Sequence, residues 1–255
     1  MERAEENPDA NIMRIAGKKT CEEWKNFIQK EKNEAFWQEA YNDYFLERLK
    51  TRYLDPITAI ENLSTSIKVD STEAGSTDAE KEERKGEGNG EGFSIMAILC
   101  TLIEFLEATR QGKKFTLLRN ENFRYARQGN FHLINPPFDP NNEYFIGSEY
   151  FVNFLQKREP FDKFFADDDK LTEDFYTFIR CGLLHEAQTN DGWKIKIVGS
   201  RSSNEDLINA EKKIVYRDNF RKAFDTYLGN YEKELKTDEA LQNALIKKFN
   251  SLCEE

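Results

Sequence analysis

A mainly α-helical single domain is the fold class this sequence predicts, and three observations predict it. Apolar and aromatic residues recur at helical spacing in stretch after stretch between Thr20 and Leu252. Only a few short runs alternate in the manner of strands. The chain has 255 residues, enough to bury one good core, and its 38% hydrophobic content is low but still that of a globular protein.

The N-terminal MERAEENPDAN is polar and acidic and has no apolar core, so a secretory signal is not expected. Thr20-Cys-Glu-Glu23 is a capping box, which opens a first helix with Trp24, Phe27 and Ile28 on its apolar stripe. Phe36, Trp37, Ala40, Tyr41, Tyr44, Phe45 and Leu49 predict a second helix to about Tyr53. Asp55-Pro56 should then break the run before a short helical piece from Ile57 to Leu63. Residues 64–92 turn to Ser, Thr, Gly, Glu and Lys without apolar periodicity, as in STEAGSTDAEKEERKGEGNGEG. They are expected to form a disordered, acidic, flexible insertion inside the domain and not a boundary between two domains.

Phe93 to Arg110 is apolar nearly all round and should be the central, buried helix. Glu104 and Glu107 inside it each want a partner, and Arg180 is the obvious candidate for Glu104, a solvent-facing strip being the alternative. From Arg110 to Arg127 the charge reverses. Arg110, Lys113, Lys114, Arg119, Arg124 and Arg127, interleaved with Phe115, Phe123 and Tyr125, suit single-stranded RNA, though a solvated loop explains them as well.

Short strands are expected around Phe115–Leu118 and Phe131–Ile134, followed by a Pro-rich connection. His132, between Phe131 and Leu133, reads as structural. Ser148 should cap a short helix to Gln156, and Pro160 should start another that carries Phe161, Phe164 and Phe165. Asp167-Asp168-Asp169 reads as a solvated turn, because three adjacent Asp do not converge on one ion. Beyond the helix of Arg180, residues 193–217 predict a small β-hairpin appendage, with Trp193–Val198 pairing Lys213–Arg217. Two amphipathic helices close the chain, one with Phe220, Ala223, Phe224, Tyr227, Leu228, Tyr231 and Leu235, the other with Leu241, Ala244, Leu245, Phe249 and Leu252.

The formal net charge of −10 argues against broad, tight nucleic-acid binding, so any RNA contact has to be local. Cys21, Cys100, Cys181 and Cys253 lie far apart with no CxxC and read as reduced packing residues of a cytoplasmic protein. With two His in the chain no zinc site is expected. No phosphate loop, Ser–His arrangement or cofactor motif is visible, so no metal and no cofactor are expected. The apolar run from Phe93 to Leu106 is short for a membrane span and contains Glu104, so no membrane partner is expected.

The stretch that carries a functional signal is FYTFIRCGLLHEAQT, residues 175–189. Its apolar residues wrap most of a helical cylinder and set Arg180 and His185 in it. At about 100° per residue these two point about 140° apart. Gly182 between them removes bulk, so that another backbone or a ligand can approach, and Asn190-Asp191-Gly192 should end the helix.

The motif Arg180-Cys-Gly-Leu-Leu-His185 resembles the Arg-x4-6-His signature of the HEPN superfamily. RCGLLHEA followed by Gly192-Trp193, together with GFSIMAILCTLIEFLEATRQGK, resembles bacterial HEPN-type proteins over most of the chain. The resemblance implies a HEPN-like helical bundle and a metal-independent endoribonuclease, with a place in a defence or toxin–antitoxin system. Two copies of the motif would meet across a homodimer, His185 acting as general acid/base and Arg180 stabilising the phosphorane, with Glu104 or Glu186 orienting either residue. Active members frequently carry a polar Asn, Asp or His after the Arg, where this chain has Cys181. The competing expectation is a non-catalytic helical interaction module for a protein partner, in which Arg180 and His185 staple the core through Glu104 and backbone groups.

Overall fold

The computed structural model describes residues 13–70, 90–120, 123–125, 131–133, 137–145, 147–198 and 205–254, and what it describes is mainly α-helical. A two-stranded ribbon, β1 (Arg14–Ala16) and β2 (Lys19–Thr20), leads into α1 (Cys21–Phe27). The expected capping box is formed in full. Thr20 Oγ1 accepts from the Glu23 backbone N–H at 3.1 Å, and the Glu23 carboxylate accepts from the Thr20 N–H at 2.7 Å.

The second helix does not break at Pro56. One continuous helix, α2, runs over residues 34–70, with π-helical turns at Ala40–Leu46 and Lys50–Leu54 inserted between α-helical ones. Pro56 falls in the first turn after the second π segment, where the widened turn accommodates a residue without an N–H. The helix also continues through Ser64–Asp70, and Glu91 and Gly92 already belong to the next one. The remainder of the expected insertion, residues 71–89, lies outside the described residues, as does Arg127.

Helix α3 (Glu91–Arg110) is the centre of the molecule. Ile95, Met96, Leu99, Cys100, Leu102, Ile103 and Leu106 are buried, and α2 and four of the five later helices pack against it. At 20 residues it is long and apolar enough to cross a membrane by length and composition, which the shorter run read from the sequence did not suggest, and more than half of it is buried inside the chain. Each large side chain buried in such a core contributes roughly 1.5–3 kcal/mol.

After α3 come β3 (Lys114–Phe115), β4 (Leu118–Asn120), β5 (Phe123–Tyr125), β6 (Phe131–Leu133) and β7 (Glu143–Tyr144). The strands β4, β5 and β6 form an antiparallel sheet, and β3 pairs with β7 in parallel. Helices α4 (Glu149–Lys157) and α5 (Asp162–Phe165) follow, though the Ser148 side chain does not cap α4; its carbonyl instead accepts from Val152 N at 2.8 Å. The Arg180 helix, α6, is continuous over residues 169–186, with an α-helical start capped by Asp168, a π segment Phe175–Cys181 and an α-helical end Gly182–Glu186.

Residues 193–217 depart from the expected hairpin appendage. The strand β8 (Lys194–Lys196) lies parallel to β10 (Ile214–Tyr216), while β9 (Ile208–Asn209) takes the antiparallel place on the other edge of β10. The tight turn joins β9 to β10, with Lys213 in the left-handed region and its N–H on the Ala210 carbonyl. The strand β8 is reached only by the longer connection. Nor is the ribbon an appendage, since Trp193, Leu207, Ile208 and Val215 are part of the main core.

Helices α7 (Arg217–Leu235) and α8 (Glu239–Leu252) close the domain. A chain of phenylalanine rings, Phe154, Phe161, Phe220, Phe224 and Phe175, knits α4, α5, α6 and α7 together at centroid separations of 5.0–6.0 Å. Where α8 meets α1, Trp24 donates from Nε1 to Asn250 Oδ1 at 2.8 Å and packs on Phe249. Beside it Cys21 and Cys253 are joined as a disulfide with their Cα atoms 5.3 Å apart. The expectation of four reduced cysteines is therefore corrected for this pair. The two are 232 residues apart in sequence, and only the docking of α8 on α1 makes them neighbours.

Candidate functional site

The site is built where the π segment of α6 crosses α3. Leu171, Phe175, Ile179 and Leu183 are buried on one side of α6, which leaves Tyr176 and Arg180 at the edge of the core, half-covered. The Arg180 side chain folds onto α3. Its Nη2 donates to Glu104 Oε1 at 2.7 Å, and its Nε donates to the same oxygen at 3.1 Å. The guanidinium also lies over the Tyr176 ring, 5.3 Å from its centroid, and Nη1 is 3.9 Å from Cys181 Sγ. Burial works against the guanidinium charge, but Glu104 and Tyr176 outweigh it and hold Arg180 above its usual range. The tyrosine hydroxyl is pushed up in turn, chiefly by burial.

Gly182 shows what its missing side chain makes room for. A Cβ there would stand 2.6 Å from the Gln188 carbonyl oxygen, so the close neighbour is the protein's own backbone. The helix ends earlier than the Asn190-Asp191-Gly192 turn. Glu186 is its last residue, Ala187 adopts the left-handed conformation at φ 54°, and the chain folds back so that Asn190 N–H reaches the Phe178 carbonyl at 2.8 Å. His185 and Glu186 therefore sit in an exposed last turn, beyond the reach of the apolar wrapping read from the sequence.

Of the four residues expected in the catalytic group, the fold joins Arg180 and Glu104 and leaves His185 and Glu186 apart from them. Among the described residues no hydrogen bond or ion pair links His185 to Arg180. Tyr176 was missed as a member of the site; its signal in the sequence was its position four residues before Arg180, on the same helical face. Arg158 was missed as the partner of Glu107. Its Nε and Nη2 donate to the two carboxylate oxygens at 2.8 and 2.7 Å, and Gln111 adds a third bond at 2.7 Å.

Three members of the basic stretch, Arg110, Lys113 and Lys114, are engaged within the chain. Arg110 is paired with Glu234 and lies over the Tyr231 ring, and Lys114 is 3.6 Å from Glu254. Lys113 has its Nζ 5.7 Å from the centre of the Tyr150 ring. Arg119 lies on β4, and Arg124 lies on β5 in register with His132 of β6. Among the described residues no cluster of His, Cys, Asp and Glu could hold a metal ion, and Asp168 and Asp169 instead accept hydrogen bonds from Leu171 N and Gln156. Comparison of the chain with models of protein families, with curated proteins and with solved structures gives no match.

Proposed function

We propose that this chain is a HEPN-like, metal-independent endoribonuclease that works as a symmetric homodimer, of the kind that serves defence or toxin–antitoxin systems. The observation that carries the reading is the contrast within one helix. Arg180 is oriented by Glu104 at the edge of the core, while His185 stands exposed in the last turn and free to meet a second copy. One chain does not bring the two side chains together, so a working site takes the Arg–His helices of two protomers around one cleft. In that cleft His185 handles the proton of the attacking ribose 2′-hydroxyl or of the leaving 5′-oxygen, and Arg180 stabilises charge on the phosphate. Glu104 fixes the guanidinium in place through Nε and Nη2.

The test pairs light scattering with cleavage of structured and single-stranded RNA. A dimeric wild type that cuts RNA, and a dimeric His185→Ala that does not, are the expected results. A monomer, or cleavage that survives in His185→Ala, sinks the proposal. One observation favours the second reading, a non-catalytic interaction module: Arg180 is already satisfied by Glu104 and Tyr176 without any ligand. A wild type that dimerises but cuts no RNA, in which Arg180→Ala unfolds the protein, leaves that reading in place.

A further inference from the structure

Among the described residues, the non-glycine positions with a left-handed backbone are Ala187, Asp191 and Lys213, at φ 54°, 53° and 52°. An L side chain crowds its own backbone there, so such a residue keeps the conformation only where its surroundings fix it. All three meet in one place. Ala187 turns the chain off α6 directly after the exposed turn of His185, Asp191 lies in the stretch that follows, and the Lys213 side chain reaches across to it. Residues 187–193 thus run back along α6 as a strap tied at its start, middle and end. At the start, the Ala187 and Gln188 N–H groups both donate to the Gly182 carbonyl. In the middle, Asn190 N–H donates to the Phe178 carbonyl at 2.8 Å, and Lys213 Nζ donates to the Asp191 carbonyl at 2.9 Å and to Asp191 Oδ2 at 2.7 Å. At the end, Thr189 Oγ1 donates to the Trp193 carbonyl at 2.5 Å, and the Trp193 side chain is buried in the core. Gly182 is the seat of the strap, since a Cβ there would stand 2.6 Å from the Gln188 carbonyl oxygen and 3.4 Å from Asn190 N.

We infer that residues 187–193 are a strap that positions His185, with Gly182, Asp191 and Lys213 as the positioning residues. The strap stands on the geometry alone; its effect on RNA cleavage rests on the ribonuclease reading. The last turn of a helix frays unless something ties it down. The turn of His185 is exposed and has no core contact of its own to hold it. An imidazole that must meet the arginine of a second protomer cannot tolerate such fraying, because a misplacement of about 1 Å can cost about a hundredfold in rate. The bonds to Gly182 and Phe178 fix the turn against its own helix, and the bonds from Lys213 fix it against the turn that leads into β10. The positioning residues act through His185 and make no contact with phosphate or ribose.

The test uses the full chain and two variants. Gly182→Ala drives a Cβ into the Gln188 carbonyl, and Lys213→Met removes both bonds to Asp191 at the surface. Backbone nitrogen relaxation and amide exchange read the strap without any substrate. In the wild type the His185 amide should be as rigid as the body of α6, with an order parameter of about 0.85, and in Gly182→Ala it should fall below about 0.6. The Gln188 and Asn190 amides should lose exchange protection with it. For RNA cleavage, kcat should fall about tenfold in Gly182→Ala and about threefold in Lys213→Met, with KM within about twofold of the wild type, and Lys213→Arg should restore it. Lys213→Met carries the same readouts if Gly182→Ala does not fold. A wild type whose His185 amide is already mobile overturns the inference, and so does a variant with a loosened strap that cuts at the wild-type rate. A rigid turn that loosens in the variants of a protein that cuts no RNA supports the strap and removes the ribonuclease; cleavage by a wild type with a mobile His185 turn does the reverse.

Discussion

Two carboxylates one turn apart on α3 reach two arginines, and they reach them differently. Glu107 is wholly buried; both of its oxygens are taken by Arg158 and one also by Gln111. Glu104 keeps 24% of its side chain exposed and uses a single oxygen on Arg180. The first junction is a closed lock between α3 and the end of α4. The second is an ion pair at an edge, with an aromatic ring on one side and a thiol on the other. The same pairing of residue types therefore does two jobs, and satisfaction of the acceptor separates them better than residue identity does.

The strongest test of that comparison is Glu107→Ala. It removes the wholly buried carboxylate that Arg158 and Gln111 bond to and should cost about 3–5 kcal/mol in urea unfolding; a loss under about 1 kcal/mol would erase the distinction. Cys253→Ser calibrates the scale away from both junctions. Opening a ring of this length should cost roughly 2–4 kcal/mol, read as the drop in unfolding free energy without reductant.

Arg180→Ala comes next, at about 1–2 kcal/mol, because water can reach Glu104 once the arginine is gone. A loss as large as that of Glu107→Ala would make the Arg180 junction structural, whatever its resemblance to a catalytic motif. His185→Ala, in the exposed turn, should move stability by less than about 0.5 kcal/mol. The smallest effect concerns pH. The backbone and side-chain bonds from Thr20 hold the Glu23 carboxylate below its usual range, so its contribution is present above the ordinary glutamate value and fades as the pH falls through the lowered one. Glu23→Gln should flatten that acid limb of the stability curve, while neutral-pH unfolding keeps its shape.

Much of this was legible in the residues. Thr20 and Glu23 announced their capping box through local spacing, and the stripes of Phe220, Phe224 and Tyr227 announced a buried helix face. Glu104 announced a need for a cation because nothing near it in sequence could supply one. What stayed hidden depends on chain returns that spacing does not encode. Arg158 lies 51 residues from Glu107, Cys253 lies 232 from Cys21, and β10 chooses β8 from a distance.

The π segments were hidden for another reason. Trp37, Tyr41, Phe45 and Leu49 repeat every four residues, longer than the 3.6 of an α-helix, and so do Phe175, Ile179 and Leu183. Ala223, Tyr227, Tyr231 and Leu235 keep the same rhythm in a helix that stays α, so the rhythm does not by itself announce a widened turn. The exposure of His185 was also unreadable, because it follows from Ala187 turning left-handed after Glu186, a step that an alanine does not advertise.

The junction of Cys21 and Cys253 makes the described fold nearly circular. The ribbon β1–β2 before Cys21 folds back so that Cys21 N–H reaches the Met13 carbonyl at 3.0 Å, and the two ends of the described chain lie side by side at the disulfide. A pull applied at Met13 and Glu254 would run through the ribbon and the sulfur bridge and leave the helices between them unloaded. Two labels placed at those two positions would report on each other and almost nothing about the body of the protein.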